Sequence, residues 1–245
     1  MWLPLLFACA SCFAIDLRTA AQLGTEPKFM NAERGDGIVG LCTDIMRAVE
    51  RVDPGLKFVG DQNWMPLIRI MTELEAGAQD ATCALQHTRE RDQKFTYLEP
   101  VLYPVEYVLL ARIDDPLVVG SWDDVRHLNP APVILANRGF GASLILDNLG
   151  GLLVDSSTTD TQLNLEKLIA GRARLYFHRG PGMRRILERA GVIKKVRILP
   201  MVMHRADFYF VVGRHLPQAT AERLQRALLL LEHRGELRAL YKKWD

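Results

Sequence analysis

Apolar positions along the chain switch repeatedly between helical spacing and short continuous runs. Ile45, Met46, Val49 and Val52 recur at helical spacing and predict a helix from Cys42 to Arg51, which Asp53-Pro54-Gly55 ends. Leu67, Ile70, Met71 and Leu74 predict a second helix, with Pro66 suited to its first turn and Gly77 as its stop. Between and after them, Leu17 to Ala21, Leu56 to Val59 and Asp80 to Leu85 predict strands. The theme repeats further on. Tyr107 to Ala111, Val133 to Ala136, Leu175 to Phe177 and Phe208 to Val212 are apolar runs suited to buried strands. Helices are expected from about Ala142, over Thr161 to Ala170, Gly182 to Ala190 and Ala219 to His233, with a last helical piece from Glu236 to Trp244. Strands alternating with helices of this length predict an α/β sheet built from crossover units.

The start of the chain breaks this pattern. Met1 to Ala14 carry no charge, and the run is too short to span a bilayer. It suits the apolar core of a secretory signal over residues 1–14, with cleavage near Ala10 or Ala14. Leu6-Phe7-Ala8-Cys9 also has the outline of a lipoprotein cleavage box, and a buried N-terminal strand is the third reading. Export removes Cys9 and Cys12 and leaves Cys42 and Cys83. In an oxidising compartment these two either pair or stay as buried thiols. Neither has a second Cys or His at ligand spacing, so no metal and no cofactor are expected.

Composition narrows the function. The 245 residues carry 31 basic and 29 acidic side chains, a net charge of +2. That balance provides no footprint for nucleic acid or an anionic membrane surface. Aliphatic and aromatic residues spread over the whole length, enough for one large domain or two lobes.

The most informative stretch is Asp80 to Pro100, in which a strand leads to the polar turn Gln86-His87-Thr88 and then to Arg89-Glu90-Arg91. An Arg fork at a helix start is suited to a carboxylate. Gly40-Leu41-Cys42-Thr43-Asp44, Trp64, Leu74 to Gly77 with Asp80, Thr88-Arg89-Glu90-Arg91, Tyr97 and Pro100 follow one another in a characteristic order. With the closing segment Arg234 to Trp244, they make almost the whole mature chain resemble the family 3 extracellular solute-binding proteins. The best-known members of that family are periplasmic amino-acid receptors of ABC importers.

The resemblance implies an α/β fold of periplasmic binding protein type II, with two α/β lobes joined by two hinge strands. The lobes are expected at 15–110 plus 209–245 and, inserted, at 111–208, with crossings near Tyr107–Ile113 and Asp207–Val211. It implies a small-molecule ligand in the cleft, a monomer, a periplasmic location and a membrane permease as partner. Arg91 matches the carboxylate-binding arginine, Thr88 its companion hydroxyl and Trp64 the aromatic that stacks on the ligand. The turn Asn137-Arg138-Gly139-Phe140-Gly141 matches the one whose backbone N–H groups help hold the ligand; Asn137, Gly139 and Gly141 are the expected contacts there. Gln86 and His178 complete the expected lining.

The departures bear on the ligand. Arg179 stands where amino-acid receptors of the family carry an Asp for the ligand ammonium, and Gln22 stands at the early-loop acidic position. Cys42 replaces the first Asp after Gly40, and the stretch from Asp80 to Arg91 is one residue short. Arg repels an ammonium, which argues against an ordinary α-amino acid and admits a more anionic ligand such as a dicarboxylate, unless Arg179 points to solvent. The expected ligand is a small carboxylate-bearing molecule, an amino acid or a related organic acid. Two other functions share this fold. A sensory module would signal ligand occupancy to a separate membrane receptor. A dehydratase would need His87 or His178 as an acid–base group.

Overall fold

The structure is a computed structural model and describes residues 14–244; the proposed signal lies almost wholly outside the described residues. In chain order the first elements are strands β1 (Ile15–Arg18), β2 (Ala21–Gln22), β3 (Met30–Asn31) and β4 (Ile38–Val39), then helix α1 (Leu41–Val52). They are followed by β5 (Leu56–Val59), β6 (Trp64–Met65), α2 (Leu67–Glu75), β7 (Ala81–Gln86) and the short α3 (Arg89–Asp92). Next come β8 (Phe95–Arg112), α4 (Trp122–Arg126), β9 (Val133–Leu135), α5 (Gly141–Leu149) and β10 (Leu153–Asp155). The rest is α6 (Thr161–Ile169), β11 (Leu175–Arg179), α7 (Met183–Arg189), β12 (Val196–Gly213), α8 (Gln218–His233) and α9 (Glu236–Trp244).

The expected single strand at Leu17 to Ala21 is divided. β1 pairs in parallel with β5, whereas β2 pairs in parallel with β6, so the chain changes partner between them. Arg18 sits at that change: its backbone N–H and its guanidinium both donate to Asp80, and His215 Nε2 lies 3.0 Å from the same carboxylate. These bonds hold the Asp80 carboxyl down at about 2 despite the opposing effect of its burial.

A six-stranded sheet in the order β10-β9-β11-β8-β12-β7 runs through both lobes. Its two middle strands, β8 and β12, are 18 residues each and pair antiparallel from Phe95–Gly213 to Arg112–Val196. At one end they pair with β7, and at the other with β11. The short crossings expected near 107–113 and 207–211 are thus parts of two long strands. Pro100, Pro104 and Pro200 lie within these strands, and proline ordinarily argues against a strand interior. Here Pro104 keeps register opposite Asp207, and the register shifts between Ile198 and Val202 around Pro200.

α1 begins at Gly40, which comes so close to the preceding loop that a Cβ there would lie 2.4 Å from the Lys28 carbonyl oxygen. That approach lets the free N–H groups of Leu41 and Cys42 donate to the carbonyls of Pro27 and Lys28. A disulfide joins Cys42 to Cys83 of β7, with Cα atoms 5.8 Å apart. The next residue, Ala84, has φ 59, a left-handed value that L side chains rarely adopt. It belongs to a bulge in which Cys83 and Ala84 together face Phe210 of β12. The disulfide closes a separation of 41 residues, worth about 4 kcal/mol by loop-closure entropy. Replacing Cys42 and Cys83 together by alanine is expected to lower stability by about that amount in urea denaturation. An unchanged urea midpoint would contradict this role.

Candidate functional site

A small cavity lined by buried side chains and partly open to solvent lies where the two lobes meet. Gln22, Thr25 and Lys28 reach it from the first loop, Ala84 to Gln86 and Arg91 from β7 and α3, and Tyr107 and Phe208 from the long strands. Asn137, Phe140 to Ala142, His178 and Arg179 close it from the other side. Gly141 is there because of its size: a Cβ would lie 1.6 Å from Gln86 Oε1 and 2.6 Å from the Tyr107 hydroxyl. Outside the cavity, Glu26 pairs with Arg189 of α7. Ile68 of α2 touches the position of a Cβ on Gly139. The two sides of the cavity therefore touch at its rim.

Three cations converge on this small space. Lys28, Arg91 and Arg179 are 2%, 5% and 9% exposed, and no Asp or Glu is among the described residues that line the cavity. Burial, then the charges of Arg179 and Arg91, holds the Lys28 ammonium well below the ordinary lysine range. Burial likewise lowers the Arg91 guanidinium. The Lys28 ammonium donates to Gln22 Oε1 and, at 2.9 Å, to the Ala84 carbonyl that the bulge turns toward it. Arg91 donates through Nη1 to the Gln86 carbonyl at 3.0 Å, and the Tyr97 hydroxyl donates to the same oxygen. Tyr107, its hydroxyl pushed up to about 12 mainly by burial, donates to Gln86 Oε1. Arg179 Nη2 is buried without a hydrogen-bond partner.

His178 has a defined role in this network. Its Nδ1 lies 3.0 Å from the Arg179 carbonyl oxygen, which only accepts, so the proton sits on Nδ1. Nε2 is then an acceptor, buried without a partner. Burial first, and then the Arg179 charge, pulls the imidazole down to about 3, so it is neutral across the physiological range.

The description "Bacterial extracellular solute-binding proteins, family 3" matches residues 17–245. The chain belongs to this family. Among solved structures, this solute-binding protein is similar to the substrate-binding protein of an amino acid ABC transporter. That match has a TM-score of 0.76 and 18% identity over 94% of this chain and 98% of the other. It is also similar to a histidine kinase sensor domain with similarity to periplasmic binding proteins, at TM-score 0.79 and 16% identity over 94% and 96%. A third is an ancestral amino acid-binding protein described as a precursor of cyclohexadienyl dehydratase, at TM-score 0.74 and 17% identity over 94% and 95%. At these identities the likeness is one of fold. No curated protein matches the solute-binding protein in sequence. No helix among the described residues is long and apolar enough to cross a membrane.

The structure brings seven of the expected residues together on the cavity: Gln22, Gln86, Arg91, Asn137, Gly141, His178 and Arg179. Arg179 is buried there and does not point to solvent. Three expected residues lie elsewhere. Trp64 is half-buried in a separate surface hollow, its indole N–H donating to Asn31 Oδ1 at 3.2 Å, because β6 aims it away from the lobe junction. The Thr88 hydroxyl caps α3 by accepting from the Arg91 N–H at 3.3 Å. Gly139 sits against Ile68. Asn137 lines the cavity, but its amide serves the fold: Oδ1 accepts from Asn164 and Tyr176 while Nδ2 donates to Thr161 and the Thr159 carbonyl. Sequence reasoning missed Lys28. It lies in a loop without periodicity, and only the close approach at Gly40 signals that this loop is held against α1.

The unfolded chain takes a proton on His178 below about 6.5, whereas the folded chain resists until about 3. The folded pKa is lowered, so the unfolded state binds more protons in that window and stability falls as pH drops through it. Asp80 adds its own loss only lower, between its ordinary 3.8 and about 2. Thermal denaturation between pH 6.5 and about 4 is expected to show the His178 slope, and His178→Gln to flatten it.

Proposed function

We propose that this protein captures a small carboxylate-bearing molecule between its lobes in the periplasm and presents the closed form to the permease of an ABC importer. The observation that carries this reading is the meeting of Arg91 from one lobe with Arg179 from the other on a buried cavity without a carboxylate. A ligand that satisfies both arginines favours the closed form, because it touches both halves of the site. Both walls come from one chain, so one copy forms a complete site. Membership of an extracellular solute-binding family supports the location and the partner class.

Acid–base catalysis by His178 is disfavoured. An efficient catalytic group has a pKa near the working pH, whereas His178 is held at about 3. Similarity to a histidine kinase sensor domain keeps a sensory role as the second reading. Uptake of the bound solute by cells carrying a cognate permease separates the two.

Calorimetry of the purified protein against small carboxylic acids tests the capture. Arg91→Ala is expected to weaken binding by about 3 kcal/mol, and Arg91→Lys to restore only part, since lysine lacks the planar fork. Undiminished affinity in Arg91→Ala would remove Arg91 from the site. Gly141→Leu is expected to obstruct closure against Gln86 and Tyr107. Small-angle scattering of that variant should then show no contraction on adding ligand, while its melting temperature stays near that of the parent protein.

A further inference from the structure

Hydrogen-bonding capacity in the cavity is one-sided. Several lining oxygens already receive a hydrogen bond: Gln22 Oε1 and the Ala84 carbonyl from Lys28, Gln86 Oε1 from Tyr107, and Asn137 Oδ1 from both Asn164 and Tyr176, which fills it. On the donor side, Arg179 Nη2 is buried without a partner, and the Arg91 guanidinium has one acceptor among the described residues for its five N–H groups. A zwitterionic amino acid would bring an ammonium next to Lys28, Arg91 and Arg179. Among the buried lining side-chain atoms described, His178 Nε2 is the acceptor that has no hydrogen-bond partner. One neutral nitrogen offsets little of the repulsion from the Arg91 and Arg179 charges in a buried site.

We propose that the cavity selects a dianion, a small dicarboxylic acid without an ammonium group, with one carboxylate on Arg91 and the other on Arg179, and with Lys28 as a third positive contact. This rests on the reading of the cavity as the solute site and adds the class of solute. His178 Nε2 then receives a hydrogen bond from an uncharged O–H of the ligand, where one is present.

The experiment is titration calorimetry of the wild-type protein with glutarate, glutamate, glutamine and butyrate. Glutarate and glutamate differ by the ammonium alone, and butyrate has a single carboxylate. Glutarate is expected to bind about tenfold or more tighter than glutamate and butyrate. Tighter binding of glutamate or glutamine would overturn the dianion assignment and leave capture at this cavity standing. Failure of all four to bind would overturn both.

Lys28→Met and Arg179→Met probe the cations separately. Each removes a buried like charge, so each is expected to raise the melting temperature while lowering affinity for glutarate. A lowered melting temperature with unchanged glutarate affinity would assign that cation to the fold instead. The wild-type comparison stands without either variant.

Discussion

The junction of the two lobes depends on confining the basic side chains of Lys28, Arg91 and Arg179 in one buried space. A pair of like charges ~8 Å apart costs on the order of 2 kcal/mol at an effective dielectric near 20. Lys28, Arg91 and Arg179 therefore oppose closure of the protein around them, and no carboxylate among the described lining residues answers them. Neutral acceptors do part of that work. The Ala84 and Gln86 carbonyls and the Gln22 amide hold the charged ends in place without neutralising them.

Holding Lys28 in such a position takes a rigid support, and several distant features combine to make it. Gly40 lets the Lys28 loop lie on the free N–H groups at the start of α1. The disulfide then ties that helix start to β7. Within β7 the bulge at Ala84, in a left-handed conformation that costs about 1–2 kcal/mol, turns a carbonyl toward the ammonium. Local strain of this kind persists where surrounding structure determines it, and here it sits on the wall of the cavity.

The long strands β8 and β12 play a different part. They run through both lobes and carry Tyr107 and Phe208 on the cavity wall, so the site and the connection between lobes share residues. Lobe contacts at the cavity rim are small: Gly141 against Gln86, Gly139 against Ile68 and the exposed pair of Glu26 with Arg189. An exposed ion pair of that sort contributes about 0–1 kcal/mol, so it does little to lock the two sides together.

Much of the architecture was legible in the sequence, because helical and strand periodicity are local. The helices at 41–52, 67–75, 161–169 and 218–233 lie within a few residues of where their apolar spacing predicts them. Arg91 and Arg179 were legible too, since each closely follows or ends an apolar strand and so falls at a strand end, where this fold puts its cleft. Trp64 was misplaced because order along the chain does not say which way a two-residue strand turns its side chain. Lys28 was invisible for a stronger reason: its partners include a carbonyl 56 residues away, exposed by a bulge that no local pattern announces. The sequence by itself thus determined most of the elements and the strand-end positions of Arg91 and Arg179. Only the tertiary structure decided that a third cation joins them, because burial of a loop lysine is set by long-range packing and not by spacing along the chain.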